Sequence, residues 1–312
     1  MRPGDQADSR RTRPTKTGRL FNKLRFGTRR VAIAAGIVAN IALLCYPVTW
    51  RLLRYAWWRV AEPSDAGRFL AINGARLYVE EHGRGAPVLL LPGGLTTIDS
   101  FFAQLPWLSS RFRTIAIEPR GHGRSTPTTE LTYRLLAADA LTVMDELDIE
   151  SAAVIGWSDG GTTALMMSLL QPQRVSRIIA ISANFDPDAV PADDGDGGLN
   201  GAEGQHCLAH IVYRWRSGDG ADWPALKRAV VRMWQTRPVL PLDALAAVKI
   251  PTLLIVGSND LIPVEHIRQM AAKMPSAEVV VIPEGRHTSL IWDAKDVNAL
   301  LERFLPVQPR HD

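Results

Sequence analysis

Gly156-Trp157-Ser158-Asp159-Gly160-Gly161 lies between an apolar run, Ala152 to Ile155, and a stretch rich in Ala, Leu and Met from Thr162 to Leu170. The first run has the length and composition of a buried strand, and the second those of a helix. A G-x-S-x-G turn between strand and helix is a mechanical device. Its sharp bend lifts the serine hydroxyl clear of the backbone and aims the first helical N–H groups toward it. Gly156 and Gly160 would let strand and helix pass closely without Cβ clashes. Gly, Ser and Asp also build ordinary turns, so the pattern needs partners elsewhere in the chain.

A serine hydroxyl is a poor nucleophile at neutral pH and requires a base, which in turn requires an orienter. His287 ends Glu284-Gly285-Arg286-His287, just after the apolar run Glu278 to Pro283. Asp260 ends Gly257-Ser258-Asn259-Asp260, just after the run that begins at Thr252. Both therefore leave the carboxyl ends of predicted strands, as Ser158 does, and the order Ser, Asp, His suits a doubly wound sheet. Asp186, beyond the strand that ends near Ser182, is a second candidate for the acid. A developing oxyanion needs two fixed N–H donors. One is expected from Asp159, directly after the nucleophile. The other is expected from Pro92-Gly93-Gly94-Leu95, with Gly94 the first choice and Leu95 the alternative.

Outward from these loops, short β-rich runs alternate with helical segments. Strands are expected at Pro87 to Leu91, Thr114 to Glu118, Ala152 to Gly156, Ile178 to Ser182, Thr252 to Gly257 and Glu278 to Pro283. Helices are expected at Ile98 to Leu108, Thr132 to Leu147, Thr162 to Leu170, Val264 to Met274 and Asp296 to Phe304. That alternation implies an α/β fold with a doubly wound, mostly parallel sheet covered on both faces. Arg68 to Ile72 and Ala75 to Glu81, joined by Asn73-Gly74, read as a hairpin that adds an antiparallel edge. The core would occupy 68–184 and 250–306. Residues 185–249 interrupt the alternation after a strand's carboxyl end, with helical stretches at His206 to Arg216 and Ala225 to Thr236, and read as a lid over the crevice. Its run Asp193-Asp194-Gly195-Asp196-Gly197-Gly198 lacks the glutamate that a calcium loop starting at Asp194 would need, since Gln205 stands there. His206 and His210 share a helical face, but no third ligand accompanies them, so no metal is expected. Trp215, Trp223, Met233 and Trp234 read as lid packing, some of them lining an apolar substrate pocket.

The 312 residues carry a net charge of +4, with +8 of it in residues 1–30, so the remainder is mildly acidic. That distribution argues against nucleic-acid binding by the body and for a basic, disordered tail that meets anionic lipid. Val31 to Trp50 follows, twenty residues without a charge. It is long enough to cross about 30 Å of hydrocarbon as a transmembrane helix. Residues 51–67 read as a juxtamembrane linker, with Trp50, Tyr55, Trp57 and Trp58 forming an aromatic belt among Arg51, Arg54 and Arg59. A cleavable signal peptide or a buried helix are the alternatives; a signal peptide would want a shorter apolar core and a small-residue site after it. Six Lys or Arg between Lys16 and Arg30 precede the span, and Arg51, Arg54 and Arg59 follow it. The expectation is a single-pass membrane protein, its tail cytoplasmic and its catalytic body on the far side. Cys45 and Cys207 fall in unlike segments, and no disulfide is expected.

The motifs Leu89-Leu90-Leu91-Pro92-Gly93-Gly94, Pro119-Arg120-Gly121-His122-Gly123-Arg124-Ser125, Gly156 to Gly161 and the Asp260 and His287 loops resemble the α/β-hydrolase fold superfamily. Gly-Trp-Ser-Asp-Gly-Gly, the Leu-Pro-Gly opening and Pro283-Glu284-Gly285-Arg286-His287 are similar to its valacyclovir hydrolase (biphenyl hydrolase-like) branch. The resemblance covers residues 68–306 and is patchy in the lid. Pro92 and Glu118 stand where most of the superfamily has His and Asp, and Pro92 matches this branch. The resemblance implies a serine hydrolase with Ser158, Asp260 and His287 as catalytic residues and no cofactor. It also implies that Asp159 and Trp157 contact a small-molecule ester-type substrate, Asp159 through an α-amino group. A structural role for Asp159 at the helix N-terminus is the alternative. C–C bond hydrolysis, amide cleavage and acyl transfer use the same triad, and a non-catalytic binding protein would keep the fold without the chemistry.

Overall fold

The computed structural model describes residues 46–61, 66–186, 213–217, 222–235 and 240–305. The chain divides into two compact units, 1–50 and 51–312, and nearly all of the first lies outside the described residues. The second unit is built on one eight-stranded sheet. Its strands are β1 Gly67–Ile72, β2 Ala75–His82, β3 Pro87–Leu91, β4 Arg113–Ile117, β5 Ala152–Trp157, β6 Val175–Ile181, β7 Thr252–Gly257 and β8 Ala277–Ile282. Their order across the sheet is β1-β2-β4-β3-β5-β6-β7-β8.

The expected hairpin forms the antiparallel edge: Ile72 pairs with Ala75, and Asn73 supplies a turn residue at φ +45°. From β4 onward every pairing is parallel. Parallel strands need crossovers, and the helices that make them cover both faces, so β5 and β7 are buried at every position. The strand order reverses between β3 and β5, which places the loops after these two strands side by side at one edge. A crevice at that switch point is where such sheets bind ligands.

Four helices covering the sheet are close to expectation: Tyr133–Glu146 (capped by the Thr132 hydroxyl), Asp159–Leu170, Val264–Lys273 and Ala294–Phe304. The helix expected at Ile98 to Leu108 is broken. A 3-10 turn at Ile98–Phe101 is followed by a separate short helix, Leu105–Ser109, with Pro106 in its first turn. Proline lacks the N–H that would bond back across the preceding turn, and its ring crowds that carbonyl.

Of the expected lid, residues 213–217 and Trp223–Gln235 are helical. Leu226, Ala229, Val230 and Met233 recur at helical spacing and are buried against the core. The Asp/Gly run, both lid histidines and both cysteines lie outside the described residues.

At the N-terminus, residues 31–45 of the expected membrane span lie outside the described residues. Among the described residues no helix is long and apolar enough to cross a membrane. A helix that we call αN, Tyr46–Ala61, runs on through the first part of the segment expected as a linker. One face of it packs on the sheet unit. The Tyr55 ring lies 5.8 Å from Trp58 and 6.3 Å from Phe102, and Trp58 lies 4.8 Å from His82. Tyr55 O–H donates to Asp99 Oδ1 at 2.8 Å, and the Arg59 guanidinium pairs with both oxygens of buried Glu80. The aromatic belt is thus split: Tyr55 and Trp58 face the protein, whereas Trp57 faces outward.

Candidate active site

Ser158 occupies the bend between β5 and the helix Asp159–Leu170, at φ +53° and ψ −118°. A residue with a Cβ tolerates that region only under strain, which the surrounding packing must enforce. A Cβ on Gly160 would stand 1.9 Å from the Leu91 carbonyl oxygen, and one on Gly156 would stand 2.2 Å from the Gly160 carbonyl oxygen. Strand and helix can approach this closely only because both positions are glycine.

Three side chains spread over 130 positions meet at this edge. His287 Nε2 lies 3.0 Å from Ser158 Oγ, and His287 Nδ1 lies 2.8 Å from Asp260 Oδ1. Ser158 and His287 are half-buried, whereas the Asp260 side chain is fully enclosed. Burial pushes the Asp260 carboxyl up, but donation from His287, the His287 charge, and bonds from Ser182 and Ile262 outweigh it and hold the carboxyl below its ordinary value. Ser182 O–H reaches Asp260 Oδ2 at 2.6 Å, and Ile262 N–H reaches Oδ1 at 3.0 Å. Ser182 itself sits at φ +54°. A carboxylate so tied presents Oδ1 to the imidazole in a fixed direction, which leaves Nε2 as the acceptor facing the serine. Asp186, the other candidate acid, is the group whose charge acts on His266, and the geometry favours Asp260.

Trp157 was expected at the substrate. Instead its ring is buried, and its Nε1–H donates to the His287 carbonyl at 2.8 Å. It fixes the loop that carries the base.

The N–H groups expected as oxyanion donors are those of Asp159 and Gly94. Among the described residues, no acceptor meets either backbone N–H. The alternative, Leu95, is excluded, since its N–H donates to His122 Nε2 at 3.1 Å. Leu95 is at φ +60°, so this bond holds a strained residue. His122 Nδ1 in turn lies 3.0 Å from the Arg120 carbonyl, which requires a neutral ring with its proton on Nδ1. Burial depresses the His122 pKa to about 4, consistent with that form. By its sequence His122 belongs to a loop near the crevice and is not a catalytic residue; in the structure it sets the loop that presents Gly94.

Asp159 directs its side chain away from solvent. Its Oδ1 accepts Tyr133 O–H at 2.7 Å, and Trp234 Nε1–H lies 2.8 Å from Oδ1 and 2.9 Å from Oδ2. Burial raises its pKa, with these two donors and the His287 charge opposing. A Cβ on Gly94 would fall 2.2 Å from Asp159 Oδ2, so position 94 must be bare for the carboxylate to lie against the oxyanion loop. Trp234 belongs to the lid helix, and its indole closes the lid onto the nucleophile turn. Expected as lid packing or as lining of an apolar pocket, it carries a polar contact as well.

Beneath the site, Arg124 meets Glu118 through its backbone N–H at 2.6 Å and through its guanidinium at 2.5 Å. This pair braces the turn Pro119 to Ser125, so the glutamate at 118 keeps the carboxylate that the family pattern supplies with Asp. Among the described residues no cluster of His, Cys, Asp and Glu could hold a metal ion.

The arrangement can take a proton from a hydroxyl, present it as a nucleophile and receive negative charge on two N–H groups. Comparison with known proteins points the same way. Residues 86–201 match the model of the alpha/beta hydrolase fold family. The mouse serine hydrolase BPHL is 29% identical over 257 residues, which cover 76% of this chain and 85% of that protein. A putative carbamate hydrolase, RutD, of Caulobacter sp. (strain K31) is 27% identical over 255 residues, 73% of this chain and 95% of the relative. The crystal structure of a hydrolase from Pseudomonas aeruginosa PA01 superposes with a TM-score of 0.64 at 26% identity, covering 78% of this chain and 99% of that one. With its sheet order, its strained serine turn and these relatives in agreement, the chain has the alpha/beta hydrolase fold and is similar to the BPHL serine hydrolases.

Proposed function

We propose that the protein is a membrane-anchored serine hydrolase that cleaves a carboxylic ester, or a related acyl bond, through an acyl-enzyme. The observation that carries this reading is the unbroken line of hydrogen bonds from Asp260 through His287 to Ser158, beside two N–H groups at Gly94 and Asp159. His287 Nε2 accepts the hydroxyl proton as Ser158 Oγ bonds to the substrate carbonyl carbon. The carbonyl electrons move onto oxygen, where the two N–H donors receive the charge. The tetrahedral species then collapses, and His287 returns the proton to the leaving alcohol. A water molecule next gives its proton to His287 and attacks the acyl-enzyme, and as the second tetrahedral species collapses His287 returns that proton to Ser158 Oγ, releasing the acid. Asp260 stays ionised throughout and steadies the imidazolium.

The anchor is supported by the charge-free run 31–50 behind a basic tail. Amide, thioester and C–C substrates use the same groups. The test is labelling of the full chain by a fluorophosphonate together with hydrolysis of nitrophenyl esters of increasing chain length. Both are expected in the natural protein and absent in Ser158→Ala. A natural chain that is folded yet neither labels nor hydrolyses would indicate a binding protein that merely keeps the fold.

A further inference from the structure

αN has two faces of opposite character. Arg51, Tyr55, Trp58 and Arg59 point inward, and each has a partner on the sheet unit: Arg51 donates to the Ile291 carbonyl at 3.3 Å, and the other three make the contacts given above. Leu53, Ala56, Trp57 and Val60 recur at spacings of three, one and three, which places them together on the opposite side. That stripe is apolar throughout and is not covered by the body: Leu53 is 58% exposed, Trp57 76% and Val60 83%. Soluble proteins seldom leave a row of large apolar side chains in water, and such a row marks a contact surface.

The occupant is indicated by what precedes the helix. The first five residues of αN, 46–50, are the last of the twenty charge-free residues 31–50, the run on which the anchor reading rests. Whatever receives that run lies within reach of the stripe. Trp57 carries an indole suited to the interface between headgroups and acyl chains, and Arg54 at the edge of the stripe is exposed and cationic.

We infer that the outward face of αN lies in the surface of a lipid bilayer, so that the hydrolase body rests on the membrane and does not swing from a tether. The inference deepens the anchor reading and depends on the same membrane, but it concerns a different surface. Arg51 grips the carbonyls of Ile291 and Trp292, four and five residues beyond His287. Tyr55 grips Asp99, five residues beyond Gly94. The lipid contact is therefore joined through hydrogen bonds of Arg51 and Tyr55 to the segments that follow both catalytic loops, which would present the crevice to acyl substrates dissolved in the bilayer.

The test uses the full chain with Cys45 and Cys207 replaced by serine and an environment-sensitive fluorophore at Val60→Cys. A matched protein carries the fluorophore at Arg268→Cys, which is exposed on the helix Val264–Lys273. Both are reconstituted in bilayers of phosphatidylcholine and phosphatidylglycerol, with and without acyl chains bearing a quencher, and fluorophosphonate labelling verifies the fold. Expected is a blue shift and several-fold stronger quenching at position 60 than at 268. Equal, weak quenching at both positions in a protein that resists alkaline carbonate extraction overturns the docked face and leaves the anchor standing. Strong quenching at 60 in a protein that carbonate extracts upholds the docked face and removes the anchor. A blue shift without lipid quenching assigns the stripe to a second copy of the chain and also overturns the inference.

Discussion

Substituting His122 by glutamine tests whether a buried neutral imidazole holds the oxyanion loop. The ring accepts the Leu95 N–H at Nε2 and lies against the Arg120 carbonyl through Nδ1. Protonation would destroy the acceptor that Leu95 needs and place a charge in an enclosed site. Burial accordingly lowers the pKa from 6.5 to about 4 on folding. The unfolded chain therefore takes up a proton before the native one does. The stability that depends on the neutral ring is fully present above about 6.5 and is lost as pH falls toward about 4. With 1.36 kcal/mol per unit, moving from pH 7 to pH 5 should cost roughly 2 kcal/mol from this group alone. Glutamine places an amide oxygen near the position of Nε2 and does not titrate. At pH 7 the variant should be the less stable by about 1 kcal/mol, because one well-fitted hydrogen-bonding group is replaced by a looser one. At pH 5 that gap should close or reverse, while groups common to both proteins, including His266 with its own pKa near 4, cancel from the comparison. Urea unfolding followed by tryptophan fluorescence at the two pH values measures it. A gap unchanged between pH 7 and pH 5 would refute the argument, since His122 would then titrate alike in both states.

Two further outcomes concern the reaction. Asp260→Asn should keep the fold and the half-buried serine but lower kcat by about 10³- to 10⁴-fold, since an amide no longer orients the Nδ1 proton or steadies the imidazolium; a loss below tenfold in steady-state ester hydrolysis would show that another group orients His287. Asp159 Oδ2 faces the Gly94 side and accepts only from Trp234 among the described residues, so a substrate ammonium would be its natural next donor. An α-amino ester should accordingly show a higher kcat/KM than its desamino analogue, a preference lost in Asp159→Asn, and equal values in the natural protein would leave Asp159 as a structural acceptor.

The meeting of Ser158, Asp260 and His287 was legible because chemistry restricts both their types and their places. A serine between strand and helix, an acid and a histidine each following a strand, and glycine where backbone must approach backbone are local patterns. The hairpin was legible for the same reason, Asn73 being a residue that tolerates φ +45°. What escaped depends on contacts between distant side chains, which leave no local period. The Trp157 indole reaches the carbonyl of a residue 130 positions away, and Trp234 reaches Asp159 across 75. His122 resembled any loop histidine, and only the strained Leu95 beneath it reveals its task. Two misses had signals within the sequence. Pro106 announces the break after Phe102, and Arg51, Tyr55, Trp58 and Arg59 share one helical side, which a linker has no reason to arrange.

That last side has a consequence for where the enzyme begins. A chain trimmed to start at the first strand would keep every group that touches substrate, yet would strip buried Glu80 of its Arg59 partner and Asp99 of the Tyr55 hydroxyl. Asp99 also receives the fork of Arg216 from the lid, at 2.5 and 2.6 Å. The leader of the chain and the cover of the crevice thus share a single carboxylate. The compact unit that holds these contacts begins near residue 51 rather than residue 67, and most of αN belongs to it.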